Sequence, residues 1–396
     1  MSDYVRRVTE PDKPLLPRLG ALDIELTERC DNDCTHCCIN LPLGDKDAFA
    51  REMTTEQVAE ILEQAAELGC LQVRFTGGEP LLRRDFEELY LFARRLGLKV
   101  LLFSNARRLG AERQGEKLVD LLARVPPLVP VEVTVYGMHR ESYEAVSRAP
   151  GSFEQFRRGV DLLLERGIPF VVKGVVLPPN RAEIDEFEAW AATIPAMTAV
   201  PGCALLLDLR NRRDDPEKNR LIESMRLAPQ DAVAVLARDE TAYRRDKAEF
   251  AARFMRPLGD RLFGCGAGQG LSIDAYGRVQ PCMGIRAPEL TEDVRTMSLS
   301  AALERFATLR EVRAANPDYL RRCAICFLHG FCEQCPAKSW AEHGTLDTPV
   351  EYLCQVAHEE ARFLGWLNEG EKAWKMTDWP NRTRLSDRPP SAKMGG

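Results

Sequence analysis

The chain has 396 residues, 45% of them hydrophobic and 29% charged, with a formal net charge of −6. That length suits two or three domains with real cores, and the acidic balance gives no electrostatic case for nucleic acid as a partner. No run of about 18 apolar residues exists, so no membrane span is expected, and the polar, Pro-rich start lacks a secretion signal, so a cytoplasmic protein is expected.

Leu22–Leu26 reads as the first strand, followed at once by Cys30-Asp-Asn-Asp-Cys34-Thr-His36-Cys37. Thr54 opens a capping-box helix that runs to Leu68 and stops at Gly69. Leu71–Phe75 is the second strand, followed by Thr76-Gly77-Gly78-Glu79-Pro80, a helix Arg84–Leu96 and a third strand Lys99–Phe103. A helix Arg113–Arg124, a strand Val131–Val135, helices Glu141–Ser147 and Phe153–Glu165, and a strand Phe170–Val176 come next. Helix Arg181–Ala192 and a sixth strand Ala204–Leu209 complete six strand–helix repeats, the pattern of a parallel sheet with helices outside. In such sheets chemistry sits at the C-terminal strand ends. Cys30, Gly77, Ser104, Gly137 and Leu177 all follow strands and are expected on one rim. The basic pair Arg107-Arg108 is read as solvated surface.

Beyond Asn211 the alternation ends, and Pro229–Ala237 and Ala242–Met255 read as helices of a bridge. Leu271–Asp274 and Arg278–Gln280 flank Ala275-Tyr-Gly277, a hairpin signal. Thr377–Gly396 is Pro- and charge-rich and is expected to be disordered. The expected organisation is an N-terminal segment 1–20, an α/β partial (β/α)6 barrel 21–210, a helical bridge 211–262, a small cysteine-rich α+β domain 263–362, and a partly disordered tail 363–396.

Thirteen cysteines are many for a cytosolic chain, where cysteine clusters bind metal or do redox work rather than pair. Cys30, Cys34 and Cys37 stand at C-x-x-x-C-x-x-C spacing on one tight loop. Three thiolates there can hold three corners of an iron–sulfur cube, leaving the fourth iron open. Zinc is the alternative, but structural zinc takes four ligands, usually as two pairs on separate turns. Cys265, Cys282, Cys323, Cys326, Cys332, Cys335 and Cys354 form a second set, in which zinc is a more serious alternative because C-x-x-C pairs recur. Cys70 reads as a small buried residue. Cys38 and Cys203 read as core residues or as hydrogen-atom donors to a substrate.

The cysteine triplet and Gly77-Gly-Glu-Pro80 together resemble the radical S-adenosylmethionine (SAM) enzymes, and the distal seven cysteines are similar to the C-terminal extension called SPASM. The resemblance spans roughly residues 20–360. It implies a 4Fe-4S cluster on Cys30, Cys34 and Cys37, whose free iron takes SAM. Reductive cleavage of SAM then gives a 5′-deoxyadenosyl radical, and a flavodoxin-type reductase is the implied electron donor. Gly77, Gly78, Glu79 and Pro80 are implied at the methionine end of SAM, with His36 near the adenine. Ser104 and Asn105 fall where relatives contact the ribose and amino-acid portions. Thr134-Val-Tyr136-Gly137 resembles a Ser-Leu-Asp-Gly motif with Thr134 for Ser and Tyr136 for Asp; Tyr136 is a candidate for facing substrate. Arg148 falls where relatives pair the SAM carboxylate.

The resemblance assigns Cys323, Cys326, Cys332 and Cys354 to a fully ligated auxiliary 4Fe-4S cluster and Cys265, Cys282 and Cys335 to an inner one. Two departures stand out: two residues rather than three separate Cys332 from Cys335, and Gly266–Gly270 lacks a further cysteine. The glycine run is expected to bring backbone N–H groups to cluster sulfurs. Met283 replaces the Asp that serves as base in sulfatase-maturing relatives, which argues against that activity. The expected function is oxidative modification of a peptide, such as a crosslink; haem or cofactor biosynthesis, peptide epimerisation and plain iron–sulfur electron transfer are the alternatives. The substrate is a peptide or a small molecule, and a peptide-recognition domain is expected on a separate protein.

Anaerobic reconstitution is expected to load about twelve irons per chain, and a plateau near four, read by iron assay, removes both auxiliary clusters.

Overall fold

A computed structural model describes residues 19–383; residues 1–18 and 384–396, which carry most of the N-terminal segment and the end of the tail, lie outside the described residues. Five parallel strands follow one another in space as in sequence: β1 (Leu22–Thr27), β2 (Gln72–Gly77), β3 (Lys99–Ser104), β4 (Val131–Val135) and β5 (Phe170–Val175). A short β6 (Cys203–Ala204) pairs with the end of β5. The expected strand Ala204–Leu209 is cut to these two residues. β6 is in register with Gly174 and Val175 and accepts from Val176 N at Ala204 O, and among the described residues no strand pairs with its other side. Leu205, Leu207 and Leu209 stay buried without a ladder.

Helices return the chain between strands, and their apolar stripes explain their positions. Helix α1 (Lys46–Arg51), which sequence patterning did not show, is capped by Asp45. In α2 (Thr55–Glu67), Val58, Ile61, Leu62 and Ala65 are buried at helical spacing. The capping box forms: Gln57 N donates to Thr54 Oγ1 at 3.3 Å and Thr54 N to Gln57 Oε1 at 2.9 Å. Helices α3 (Phe86–Arg95), α4 (Glu112–Arg124), α5 (Arg140–Ser147), α6 (Ser152–Glu165) and α7 (Ile184–Ala191) fall close to their expected places. Another unexpected helix, α8 (Pro216–Met225), opens with Asp215 accepting from Lys218 N and Pro216 at its first turn.

The chain forms two compact units. One comprises the chain up to Arg226, Cys265–Val312 and Trp340–Gly344; the other comprises Leu227–Gly264, Arg313–Ser339 and the chain from Thr345. Residues 263–362 therefore contribute to both units, and so does the stretch 211–262.

In the first unit the hairpin β7 (Leu271–Ile273) and β8 (Arg278–Gln280) extends the barrel sheet. β7 runs parallel to β1 in the register Leu22↔Leu271 to Ile24↔Ile273, and β9 (Glu292–Asp293) pairs with β8. Asp274 Oδ1 accepts from Tyr276 N and Arg278 N, both at 2.9 Å, which closes the turn. The glycine run before it serves this junction: Gly268 N donates to Pro281 O at 3.2 Å, and Gly20 N to Gln269 O at 3.2 Å.

One sheet face is apolar and buried beneath helices, with Ile24, Val73, Leu102, Val133 and Val172. The other carries charge. Arg74 pairs with Asp23 at 2.9 Å and lies 4.8 Å from the Phe103 ring centroid; Lys173 pairs with Glu132 and lies 5.3 Å from the same ring. Glu25 on this face is ion-paired with buried Arg286, whose Nη1 donates to Gln280 Oε1 at 2.7 Å. Burial, against the pull of Arg286, pushes the Glu25 carboxyl up to about 7.

The second unit has its own core. Ala251 and Met255, from α9 (Glu240–Phe254) and its end, pack with Phe327, Leu328, Phe331, Trp366 and Leu367, and with Ala357 and Ala361 of α10 (Glu351–Phe363). Thr377–Thr383, expected to be disordered, is drawn into this core. Trp379 stacks on Phe327 at 5.8 Å and 3°, and Arg382 pairs with Glu371 and Asp378. One aromatic ring outweighs the polar composition around it.

Arg286→Met leaves Glu25 buried without its cation and is expected to lower stability by about 3–5 kcal/mol. Adding Glu25→Gln is expected to recover part of that loss in urea denaturation.

Candidate active site

The tip of β1 is tied to the tip of β2. Gly78 N donates to Thr27 O at 2.7 Å and Glu79 N to Arg29 O at 2.9 Å. Gly77 sits at φ 125°, and a Cβ there would overlap Thr27 O; a Cβ on Gly78 would overlap Arg29 O. These glycines were expected to make room for a cofactor. The room they make is filled by the backbone that leads into Cys30.

The cysteine loop is fixed from several sides. Asp33 N donates to Ser147 O and Thr35 N to Val146 O, both at 2.9 Å, and Cys37 N donates to Cys34 O at 3.2 Å. Arg107 and Arg108, read from the sequence as solvated surface, hold this loop instead. Arg107 Nη1 donates to Asp31 O and, at 2.6 Å, to Asn32 Oδ1, while Arg108 Nε pairs with Asp31 Oδ2 at 3.0 Å. Arg107 is buried. A basic pair looks like surface when its partners lie 76 residues away in sequence; the one available signal was its place just past a strand on the catalytic rim.

Glu79 is fully buried. Its Oε1 accepts from Ser104 Oγ at 3.0 Å and Leu81 N at 3.1 Å, and its Oε2 accepts from Asn105 N at 2.8 Å. Pro80 opens the short turn Pro80–Leu82 capped by this carboxylate. Asn105 Nδ2 donates to Asp31 Oδ1 at 2.8 Å and lies 3.8 Å from Cys30 Sγ. Burial, and then Asp31, push the Glu79 carboxyl from its ordinary 4.5 up to about 8.

Burial also pushes the thiols of Cys30 and Cys34 up, a penalty that cationic iron reverses by favouring thiolate. The Tyr136 hydroxyl hydrogen-bonds Cys34, so this side chain is turned to the cysteine loop. The His36 ring lies 5.8 Å from that of Tyr136, its Nδ1 is buried with no partner among the described residues, and burial lowers its pKa to about 4. Arg148, left-handed at φ 51° and half-exposed, pairs through Nε with Asp33 at 3.2 Å. Lys218 of α8, which sequence reading missed along with its helix, pairs with the same carboxylate at 2.9 Å. Thr134 stands on the charged sheet face opposite Lys173.

Cys38 lies among Cys37, Asp208, Glu25 and Arg210, on the charged side. Cys203 packs beside Gly174 and Phe187 of α7. Cys70 is buried, with its thiol 3.1 Å from Gln72 O. None of the thirteen cysteines forms a disulfide.

In the second unit Cys323, Cys326, Cys332 and Cys354 line one cavity with Arg322, His358 and Trp374. Burial raises the thiols of Cys323 and Cys326 to about 12, and each also feels the charge of Cys354. Among the described residues no three His, Cys, Asp or Glu side chains converge closely enough to grip a single ion. Cys265 and Cys282 belong to the first unit and Cys335 to the second.

Glu79 gives a pH test. Its raised pKa makes the folded state hold a proton that the unfolded state releases above about 4.5. The stability this contributes is fully present below the unfolded value and is lost as pH rises through about 8. Glu79→Gln, neutral throughout, is expected to flatten the fall in stability of the iron-free protein between about pH 5 and 9, measured by urea denaturation.

Residues 24–191 match the Radical SAM superfamily. An AdoMet-dependent heme synthase of Methanosarcina barkeri is 26% identical over 356 residues, 83% of this chain and 93% of that protein. A PqqA peptide cyclase of Xanthomonas axonopodis pv. citri is 28% identical over 335 residues, 81% of each. The structure of Streptococcus suis SuiB bound to S-adenosylmethionine aligns with a TM-score of 0.56 at 16% identity, covering 89% of this chain and 80% of that one. The α/β fold is shared with that structure, and the family brings with it a 4Fe-4S cluster and S-adenosylmethionine. Cysteine loop, Gly-Gly-Glu-Pro turn and parallel sheet together make residues 24–191 of this chain a radical SAM domain.

Proposed function

We propose that the chain is a radical SAM enzyme that abstracts hydrogen from a peptide and leaves it oxidatively modified, for example crosslinked. The observation that carries this is the cysteine loop, fixed by backbone, Arg107, Arg108 and Asn105 at the C-terminal rim of a parallel sheet. When bound, the cluster and S-adenosylmethionine supply the 5′-deoxyadenosyl radical.

The chain's own residues fix geometry and charge. Cys30, Cys34 and Cys37 hold iron. Asn105, Arg107 and Arg108 neutralise and orient Asp31 between the first two ligands. Lys218 and Arg148 do the same for Asp33. Arg148 Nε is engaged there, so a SAM carboxylate would meet the rest of its guanidinium. Tyr136 steadies Cys34, and His36 offers a ring toward an adenine. Beneath the loop, the sheet face with Arg74, Phe103, Glu132 and Lys173 is the surface a substrate would meet. It combines charge with one aromatic ring, which suits a peptide.

Peptide modification is favoured by the peptide cyclase relatives, which match over four-fifths of this chain. A haem-forming activity is the second reading, because the heme synthase relative is covered over 93% of its length. Two auxiliary clusters, one on Cys323, Cys326, Cys332 and Cys354, would take up the substrate's electron. A flavodoxin-type reductase would supply electrons to the first, and a separate recognition protein would present the peptide.

Reconstituted protein with dithionite and S-adenosylmethionine is expected to release 5′-deoxyadenosine, and Cys34→Ala to release none; cleavage by the variant overturns the site. Loss of hydrogen from a co-expressed peptide, read by mass spectrometry, supports the first reading, and turnover of a haem precursor instead supports the second.

A further inference from the structure

The sulfur of Cys354 lies between two side-chain N–H donors. Arg322 Nη2 is 3.6 Å from Cys354 Sγ, and His358 Nδ1 is also 3.6 Å away. The other nitrogen of His358 fixes the tautomer. Nε2 accepts the backbone N–H of Ala373 at 3.1 Å, so the ring proton is on Nδ1, shared between the sulfur and Cys354 O at 2.8 Å. The His358 ring is 4% exposed and meets Trp374 edge-on at 5.2 Å.

Arg322 is held as firmly. Its fork grips Glu351 at 2.6 and 3.1 Å, Nη1 reaches Asp318 at 3.0 Å, and the guanidinium lies 4.8 Å from the Trp374 ring centroid. Cys326 and Cys332 take hydrogen bonds from the backbone at Leu328 and Gln334. Cys354 differs in having two side-chain donors, one of them cationic. Its side of the site opens on a cavity of about 510 Å3 that also exposes Lys372 and Glu359.

We propose that Arg322 and His358 are positioning residues that raise the reduction potential of the cluster on Cys323, Cys326, Cys332 and Cys354, acting through the Cys354 sulfur. The proposal rests on the reading of those cysteines as cluster ligands. A reduced cluster carries one more negative charge than an oxidised one. N–H···S bonds and a nearby cation draw charge from the thiolate and so favour the reduced form. The cluster is thereby suited to accept an electron from an oxidised substrate.

The test is a potentiometric titration followed by electron paramagnetic resonance. It uses the full chain, reconstituted with Cys30, Cys34 and Cys37 changed to Ala to silence the first cluster. His358→Phe keeps the ring packing and loses the donor; Arg322→Met loses donor and charge. Each is expected to disfavour reduction about tenfold, ~59 mV toward negative potential for a one-electron couple. His358→Gln restores an N–H donor and Arg322→Lys restores the charge, and both are expected to return part of the shift. Arg362→Met, on the same face but paired with Glu359, is expected to leave the midpoint unchanged. An unmoved midpoint in His358→Phe and Arg322→Met at normal iron content overturns the proposal. So does an equal shift in Arg362→Met, or loss of iron from all four variants, which would make the two residues merely structural. A parent protein that holds no iron on the four cysteines fails the cluster reading itself, before any variant is compared.

Discussion

Two backbone hydrogen bonds, from Gly78 to Thr27 and from Glu79 to Arg29, hold the place where the first strand becomes the cysteine loop. From them a polar circuit runs outward. Glu79 orients Ser104 and the Asn105 backbone, the Asn105 amide holds Asp31, and Arg107 holds the Asp31 carbonyl and the Asn32 side chain. The ends of β1, β2 and β3 are thereby one object. Three thiols on a loop this short would otherwise sample many arrangements, and ordering them at each turnover would cost conformational entropy. Here folding has already ordered them.

The same loop is tied down from the other direction by charge. Glu28, two residues before Cys30, is met by Arg212 at 2.9 Å, and Arg212 also pairs with Asp274 at 2.7 Å in the hairpin turn. A residue beyond the sixth repeat, a turn near residue 274 and the start of the cofactor loop thus share one guanidinium. Buried pairs of this kind add little net stability, because desolvation offsets attraction. What they supply is registry, since the charges are satisfied in a single arrangement of the three segments.

Much of the first unit was legible in the sequence because its signals are local. The capping box at Thr54 depends on residues three apart, the strands on short apolar runs, and the cysteine triplet on spacing alone. The parts that could not be read depend on partners distant in sequence. Arg107 and Arg108 look like surface until Asp31 is brought to them. Leu205, Leu207 and Leu209 alternate as a strand should, yet among the described residues no strand pairs with them. Tail composition likewise hid the ring of Trp379 on Phe327. Lys218 was missed with its helix, whose signal is a cap at Asp215 rather than an apolar stripe.

The hairpin was read correctly as a hairpin, but its attachment to β1 bears on how the protein is made. On a ribosome, β1 emerges before β2, which can pair with one of its edges early. Its other edge, among the described residues, is covered by Leu271–Ile273, on the far side of the whole barrel in sequence. During synthesis, then, the strand that leads into the cysteine loop stays open on one side until most of the chain exists. Pairing so distant is slow to form, and an uncovered strand edge invites other chains. The cysteine loop is therefore least sheltered before the hairpin has been made, and folding of this edge waits on a segment about 250 residues further along the chain.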